Sequence, residues 1–201
     1  GGIIAPAATG IGEVVVNGWS PSRRNNVYAN SGIVVNITED DVQPFRKAKE
    51  LRYLEFQKKI EQQAFISGGG NLAAPAQRMV DFVHQKVSST LPSCSYIPGI
   101  NSVNLTEIFP ESVTASLAAA FVTFGKKMKG YYTNEAVLVG TESRTSSPIR
   151  IPRDADTAMH IQVQGLFPCG EGAGYAGGIV SAAMDGEFCA EKCASYLKNN
   201  N

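Results

Sequence analysis

Apolar positions along this chain recur with helical spacing in some stretches and as short runs in others, and the changes between them mark out the elements. The clearest stripe is Val113, Leu117, Ala120, Phe121, Phe124 and Met128, at i, i+4, i+7, i+8, i+11 and i+15, which predicts a helix stopped by Gly130. Thr38-Glu39-Asp40-Asp41 reads as a helix start, with cap residues and acidic charge in the first turn. That helix is predicted to continue to about Phe65 and to turn Phe45, Leu51, Leu54, Ile60 and Ala64 toward a core. Another is predicted from Pro75, with Met79, Val80, Val83 and Val87 at helical spacing. The last covers residues 179 to about 197, as one helix or a pair. Apolar runs predict strands at residues 13–18, 32–37 and 135–140 and near 160–166. Long helices between scattered strands imply an α+β fold, a mixed sheet with several helices, rather than strict βαβ alternation.

Composition adds limits more than direction. The 201 residues can fill one domain or two small ones, and 18 basic against 18 acidic residues leave no net charge to draw nucleic acid or an acidic surface. No stretch approaches the roughly 20 apolar residues that span a bilayer. Cys94, Cys169, Cys189 and Cys193 form no dense framework and read as reduced thiols of a cytoplasmic protein. Cys189 and Cys193 would share a helix face, yet the only histidines, His84 and His160, are far away in sequence, so no metal site is expected. Neither histidine stands in the context of a Ser or Cys nucleophile. The opening Gly1-Gly2-Ile3-Ile4-Ala5-Pro6 has no initiator Met and no signal peptide, and reads as the middle of a longer protein.

Chemistry concentrates near the end. Leu166-Phe167-Pro168-Cys169 runs into a loop with glycine at 170, 172, 174, 177 and 178, followed by the small apolar run Ile179-Val180-Ser181-Ala182-Ala183-Met184. The order predicts a strand, a tight loop and a helix start, a geometry suited to an anion or a dinucleotide. A glycine turn that merely packs a strand against a helix would carry the same pattern. Residues 142–153, Glu-Ser-Arg-Thr-Ser-Ser-Pro-Ile-Arg-Ile-Pro-Arg, gather three arginines and four hydroxyls. Arginine forks suit carboxylate or phosphate, although such a segment is also what a solvated loop looks like. Gly68-Gly69-Gly70 follows a helix and lacks the G-x-x-x-x-G-K-[ST] pattern, so it reads as a helix-ending turn.

Taken together, the 165–179 stretch, the Arg144-Thr-Ser-Ser-Pro segment, Val15-Val16-Asn17-Gly18-Trp19-Ser20 with Tyr28-Ala29-Asn30-Ser31-Gly32, and Gly69-Gly70 leading to Pro75-Ala76-Gln77-Arg78 resemble one family. It is the C-terminal part of bacterial uncharacterised FAD-dependent dehydrogenases, flavoproteins of the two-dinucleotide-binding type. Trp19 departs from the Met that the family pattern leads one to expect. The resemblance covers nearly all of the chain and implies an N-terminal Rossmann portion that is missing here, with a Cys-Met-Cys-Pro stretch just before residue 1. It divides the chain into a substrate-side domain, residues 5–156, and the returning segment of an FAD-binding domain, residues 157–201. It implies that Gly170, Glu171 and Gly174 approach the ribityl or phosphate region, and that amides from Ala176 through Gly177 and Gly178 to Ile179 face the flavin. Arg144 and Arg150, with Ser146 and Ser147, would anchor an anionic substrate or a cofactor phosphate. FAD would be bound by the whole protein and weakly or not at all by the fragment, which would expose an apolar surface suited to forming a homodimer. A stand-alone domain binding an anionic small molecule is the alternative.

Overall fold

A computed structural model describes every residue except Thr9 and Asn201. The chain divides into two compact units, one formed by Gly1–Arg46 with Phe56–Ser143, the other by Lys47–Glu55 with Arg144–Asn201. The fold is α+β, as the hydrophobic pattern implies. In the first unit β1 (Ile3–Pro6) pairs antiparallel with β2 (Val16–Trp19). Asn30 Nδ2 donates to the carbonyls of Ile3 (2.9 Å) and Trp19 (3.2 Å), pinning both strands of this ribbon. The short sequence motifs around Gly18 and Asn30 are therefore two halves of one contact. Val14 and Val15, just before β2, are buried, and the Val14 amide donates to the Glu61 carbonyl.

A second sheet has the order β4-β3-β5, with β3 (Ala74–Arg78) in its centre, parallel to β4 (Ile100–Ser102) and antiparallel to β5 (Val137–Val139). This corrects the helix predicted from Pro75. Proline can stand in the strand because its carbonyl is what is needed there, accepting from the Gly140 amide at 2.9 Å. The decisive side chain is Gln77, fully buried. Its Nε2 donates to the Lys86 carbonyl (2.7 Å), and its Oε1 accepts from the Leu105 amide (2.9 Å). One amide thus satisfies two loop backbones that no ladder reaches. The helical spacing of Met79, Val80 and Val83 survives only as the short α2 (Met79–Val83), and Val87 is exposed beyond it.

α1 (Arg52–Ser67) buries Phe56, Ile60 and Ala64, but it does not begin at Thr38. The Asp41 carboxylate instead accepts from the Thr38 amide and hydroxyl, both at 2.8 Å, and from Ser112 Oγ at 2.7 Å. Those bonds hold Asp41 well into the ionised range. A 3₁₀ stretch, Gln43–Leu51, follows and is broken at Lys49, where φ is 51°. Leu51 and Leu54, expected in the core, lie on the exposed side of that break. The glycines do end α1: Gly70 N–H bonds the Phe65 carbonyl and Gly69 N–H the Ile66 carbonyl, with Gly69 at φ 102°, a Schellman closure.

α3 (Glu111–Lys127) matches its predicted stripe, burying Val113 and Phe121, with Phe121 edge-on to Phe82 of α2 at 5.9 Å. Met128, at the stripe's end, is exposed. The strand predicted at 32–37 keeps its alternation, with Ile33, Val35 and Ile37 half-buried and Val34 exposed, but among the described residues no strand pairs with it.

Gln77→Ala is expected to destabilise the protein by about 2–3 kcal/mol, the cost of stranding the buried Leu105 amide and losing the bond to the part-buried Lys86 carbonyl. Urea unfolding measures this, and a loss well under 1 kcal/mol would show that water reaches those groups.

Candidate functional site

In the second unit, the strand predicted near 160–166 is replaced by turns. His160 Nδ1 accepts from the amides of Gln162 (3.1 Å) and Val163 (3.0 Å), and the His160 amide donates to the Leu166 carbonyl. An imidazole nitrogen placed to take two successive amides curls the chain back before any ladder can form. Among the described residues of this segment, an isolated bridge, Arg153 to His160, is what remains of strand pairing. The order preceding the helix is therefore turn, loop, helix, where the sequence predicts strand, loop, helix. α4 (Ile179–Asn200) is a single helix and runs slightly further than predicted.

The glycine loop has two parts. Residues 170–175 form a closed turn: the Tyr175 amide donates to the Gly170 carbonyl and the Gly174 amide to the Glu171 carbonyl, with φ 69° at Gly170 and 81° at Gly174. The arginine segment packs directly on this turn. Ser147 Oγ donates to the carbonyls of Ile149 (2.8 Å) and Gly172 (3.2 Å), and the Ile151 amide donates to the Ala173 carbonyl. A Cβ at Gly174 would lie 2.7 Å from the Ile149 carbonyl oxygen, so glycine is demanded there by packing as well as by φ. Residues 176–179 form the open part. A Cβ at Gly177 meets nothing within 4 Å, and neither does one at Gly172.

Beyond the loop, the first bond of α4 runs from the Ala182 amide to the Gly178 carbonyl at 2.8 Å. The amides of Ile179, Val180 and Ser181 precede it and have no partner inside the helix. Ser181 Oγ accepts from the Gly178 amide at 3.1 Å, which fixes the entry of the chain into the helix. The helix start is open and apolar, with Ile179 92% and Val180 72% exposed.

One ion pair organises the unit. Arg153 Nη2 lies 2.6 Å from Asp185 Oδ1 and Nη1 3.0 Å from Oδ2, a bidentate pair with both side chains largely buried. Nη1 also donates to the Pro168 carbonyl (2.7 Å), and Asp185 Oδ2 accepts from the Gly170 amide (2.8 Å). Loop entry, loop and helix are thus tied through two side chains. Tyr175 completes the arrangement: the Arg153 guanidinium lies 3.6 Å from its ring centroid, and its hydroxyl donates to the Ile151 carbonyl. The hydrogen bond to Asp185 raises the Arg153 pKa, and the same bond lowers that of Asp185 against the opposing effect of burial. Beside it, Arg150, Pro152, Arg153, Ala155 and Tyr175 line a cleft of about 550 Å³, with Arg150 over the Tyr175 ring at 4.3 Å.

The structure thus brings Ser147 and Arg150 against the glycine loop. Ser146 is exposed, Arg144 is half-buried, Glu171 is exposed with its carbonyl closing the turn, and Ala176 is half-buried. Arg153, Tyr175 and Asp185 were not singled out by sequence reasoning. The available signals were the third arginine of its segment and the first charge in an apolar helix. Among the described residues, no group of three or more His, Cys, Asp or Glu is placed to hold a metal ion, and no helix is long and apolar enough to cross a membrane.

A mixed-sheet α+β unit joined in one chain to a glycine loop that opens a long helix defines the class. Residues 1–145 match the family described as FAD-dependent protein, C-terminal domain-like, and the chain belongs to that family. The match ends inside the arginine segment, so the glycine loop lies beyond it. The chain is also similar to an uncharacterised protein of Clostridium beijerinckii, 43% identical over 193 residues, which are 95% of this chain and 36% of that protein. It therefore spans about a third of the length of the curated relative it matches.

Because the Asp185 pKa is lowered on folding, its contribution is complete above the ordinary carboxylate value of 3.8 and is lost as pH falls through the depressed folded value. The stability gap between the wild type and Asp185→Asn is therefore expected to be constant near neutrality and to close only below pH 3.8. Chemical denaturation across pH measures it. A gap that closes above pH 5 would mean that the carboxylate is not held by Arg153.

Proposed function

We propose that this chain is the C-terminal portion of an FAD-dependent oxidoreductase, a dehydrogenase of unknown substrate, and that it supplies the substrate-side domain together with the flavin-facing glycine loop. The family match supports the flavin, and one observation supports the loop as its contact. The amides opening α4 have no partner inside the helix, and Gly177 beside them faces open space. The donor set fits the group: backbone N–H at a helix start favours the carbonyl edge of a flavin, where negative charge accumulates on reduction. FAD, when bound, supplies two-electron acceptance, typically of a hydride.

The chain's own part is to bind and orient. Gly170, Glu171 and Gly174 shape the turn near the ribityl or phosphate region, and Ala176, Gly177, Gly178 and Ile179 present their amides. Arg144, Ser146, Ser147 and Arg150 serve an anionic substrate or a cofactor phosphate. The missing N-terminal Rossmann portion supplies most adenosine and pyrophosphate contacts. It also covers the apolar start of α4, a surface through which the isolated fragment would form a homodimer. The reading places the whole protein in the cytoplasm.

A second reading, a stand-alone domain binding an anionic small molecule, is favoured by the cleft under Arg150 and Tyr175. Flavin absorbance of the purified whole protein separates the two, since a protein that carries no flavin under any condition supports only the second.

The glycines refine the test. Gly177→Val in the whole protein is expected to leave this unit folded, because a side chain there meets nothing within this chain, and to weaken FAD by about tenfold or more, on the order of 1.4 kcal/mol. Glu171→Ala is expected to weaken it in the same direction. Unchanged flavin affinity in both variants removes the role assigned to the loop. Gly174→Ala should behave differently and lower the melting temperature, because its Cβ collides with the Ile149 backbone.

A further inference from the structure

The latch between Arg153 and Asp185 has two thiols built into it. Cys169 lies between Pro168 and Gly170, the two residues whose backbone the latch grips. Cys189 stands one helical turn beyond Asp185 on α4. Its Sγ lies 3.0 Å from Arg153 Nη1 and 3.8 Å from the carbonyl of Pro168, the residue joined directly to Cys169, so the buried thiol sits against the backbone that carries the exposed one. Cys169 is exposed, Cys189 is buried, and both are free thiols. We infer that Cys169 and Cys189 form a peroxide-responsive dithiol–disulfide pair that, when oxidised, joins the glycine loop covalently to α4.

The division of labour follows from position. Cys169 meets solvent, so its thiolate attacks one oxygen of hydrogen peroxide. The O–O bond breaks, the other oxygen leaves as water after taking up a proton, and Cys169 becomes a sulfenic acid. Cys189 then attacks the Cys169 sulfur. The S–S bond forms as the S–O bond breaks, and the departing hydroxide takes the Cys189 proton and leaves as water. The two sulfurs lose two electrons between them, and those electrons reduce the peroxide. Cys189 suits the second step. Burial pushes its thiol pKa up and keeps it protonated at rest, while the adjacent Arg153 guanidinium favours the thiolate as it forms. A small thiol reverses the bond by exchange. The inference stands independently of whether the protein binds FAD.

The test uses the whole protein treated with hydrogen peroxide, then unfolded in denaturant and alkylated with iodoacetamide, and cleaved after glutamate. Glu171, Glu187 and Glu191 lie so that Cys169, Cys189 and Cys193 fall in separate peptides. The expected result is loss of alkylation at Cys169 and Cys189 together, with their peptides joined until a reductant releases them and with Cys94 still labelled. Cys169→Ser should restore labelling of Cys189 under the same peroxide, and Cys193→Ser should leave the joined peptides unchanged. The inference is overturned if Cys169 proceeds to sulfinic acid while Cys189 remains alkylated, if Cys189 joins Cys193 instead, or if both thiols stay labelled throughout.

Discussion

The pairing of Arg153 with Asp185 is the constraint on which the C-terminal unit depends. Few regular elements hold residues 144–178 in place, since the unit's single long helix begins only at Ile179. Loops without ladders must satisfy their backbone groups with side chains. Here one guanidinium takes the Pro168 carbonyl, one carboxylate takes the Gly170 amide, and the two charges satisfy each other in bidentate geometry. Buried pairs of this kind are costly to half-remove, because the remaining charge stays buried without its partner. The Tyr175 ring stacked on Arg153 excludes water from one side and ties the loop's far end into the same cluster.

The glycine loop has two uses. Gly170 and Gly174 adopt positive φ inside a closed turn, and Gly174 is pressed against the backbone of residues 149 and 150. These glycines are there for the fold of the turn. Gly172 and Gly177 have open space where a side chain would go, so packing inside this unit does not require them. The division separates glycines that the turn requires from glycines that packing within this unit does not require. Spacing alone does not distinguish a packing turn from an open helix entrance, and here the two are adjacent parts of one segment.

A parallel economy operates in the N-terminal unit. Gln77 and Asn30 each satisfy two backbone groups, one holding loops onto the three-stranded sheet and the other closing the two-stranded ribbon. Both lie in the short motifs that carry the family resemblance. Their identity is explained by hydrogen bonding within the fold, without reference to a cofactor. The family match covers this unit, so membership rests on it, while the flavin contact proposed above lies in the loop beyond the match.

Much of the secondary structure was legible because it is local. The α3 stripe, the glycine closure of α1, the start of α4 and the strand at residues 137–139 follow from periodicity, backbone freedom and side-chain branching within a few residues. What failed was what depends on a distant partner. Residues 33–37 alternate like a strand, yet among the described residues no strand pairs with them, and Pro75 reads as a helix start until Gly140 and Gln77 give it a sheet. Asp41 is a plausible cap until Ser112, far along the chain, turns it back on Thr38. In the candidate site, arginine and glycine content could be read directly, but Asp185 could not, because an acid on an apolar helix acquires meaning only when a guanidinium lies against it. The sequence by itself determined residue chemistry, helical periods and the places where the chain can turn. Tertiary structure decided which carbonyls, amides and charges meet, because hydrogen bonds and ion pairs between distant residues exist only once the intervening chain has folded.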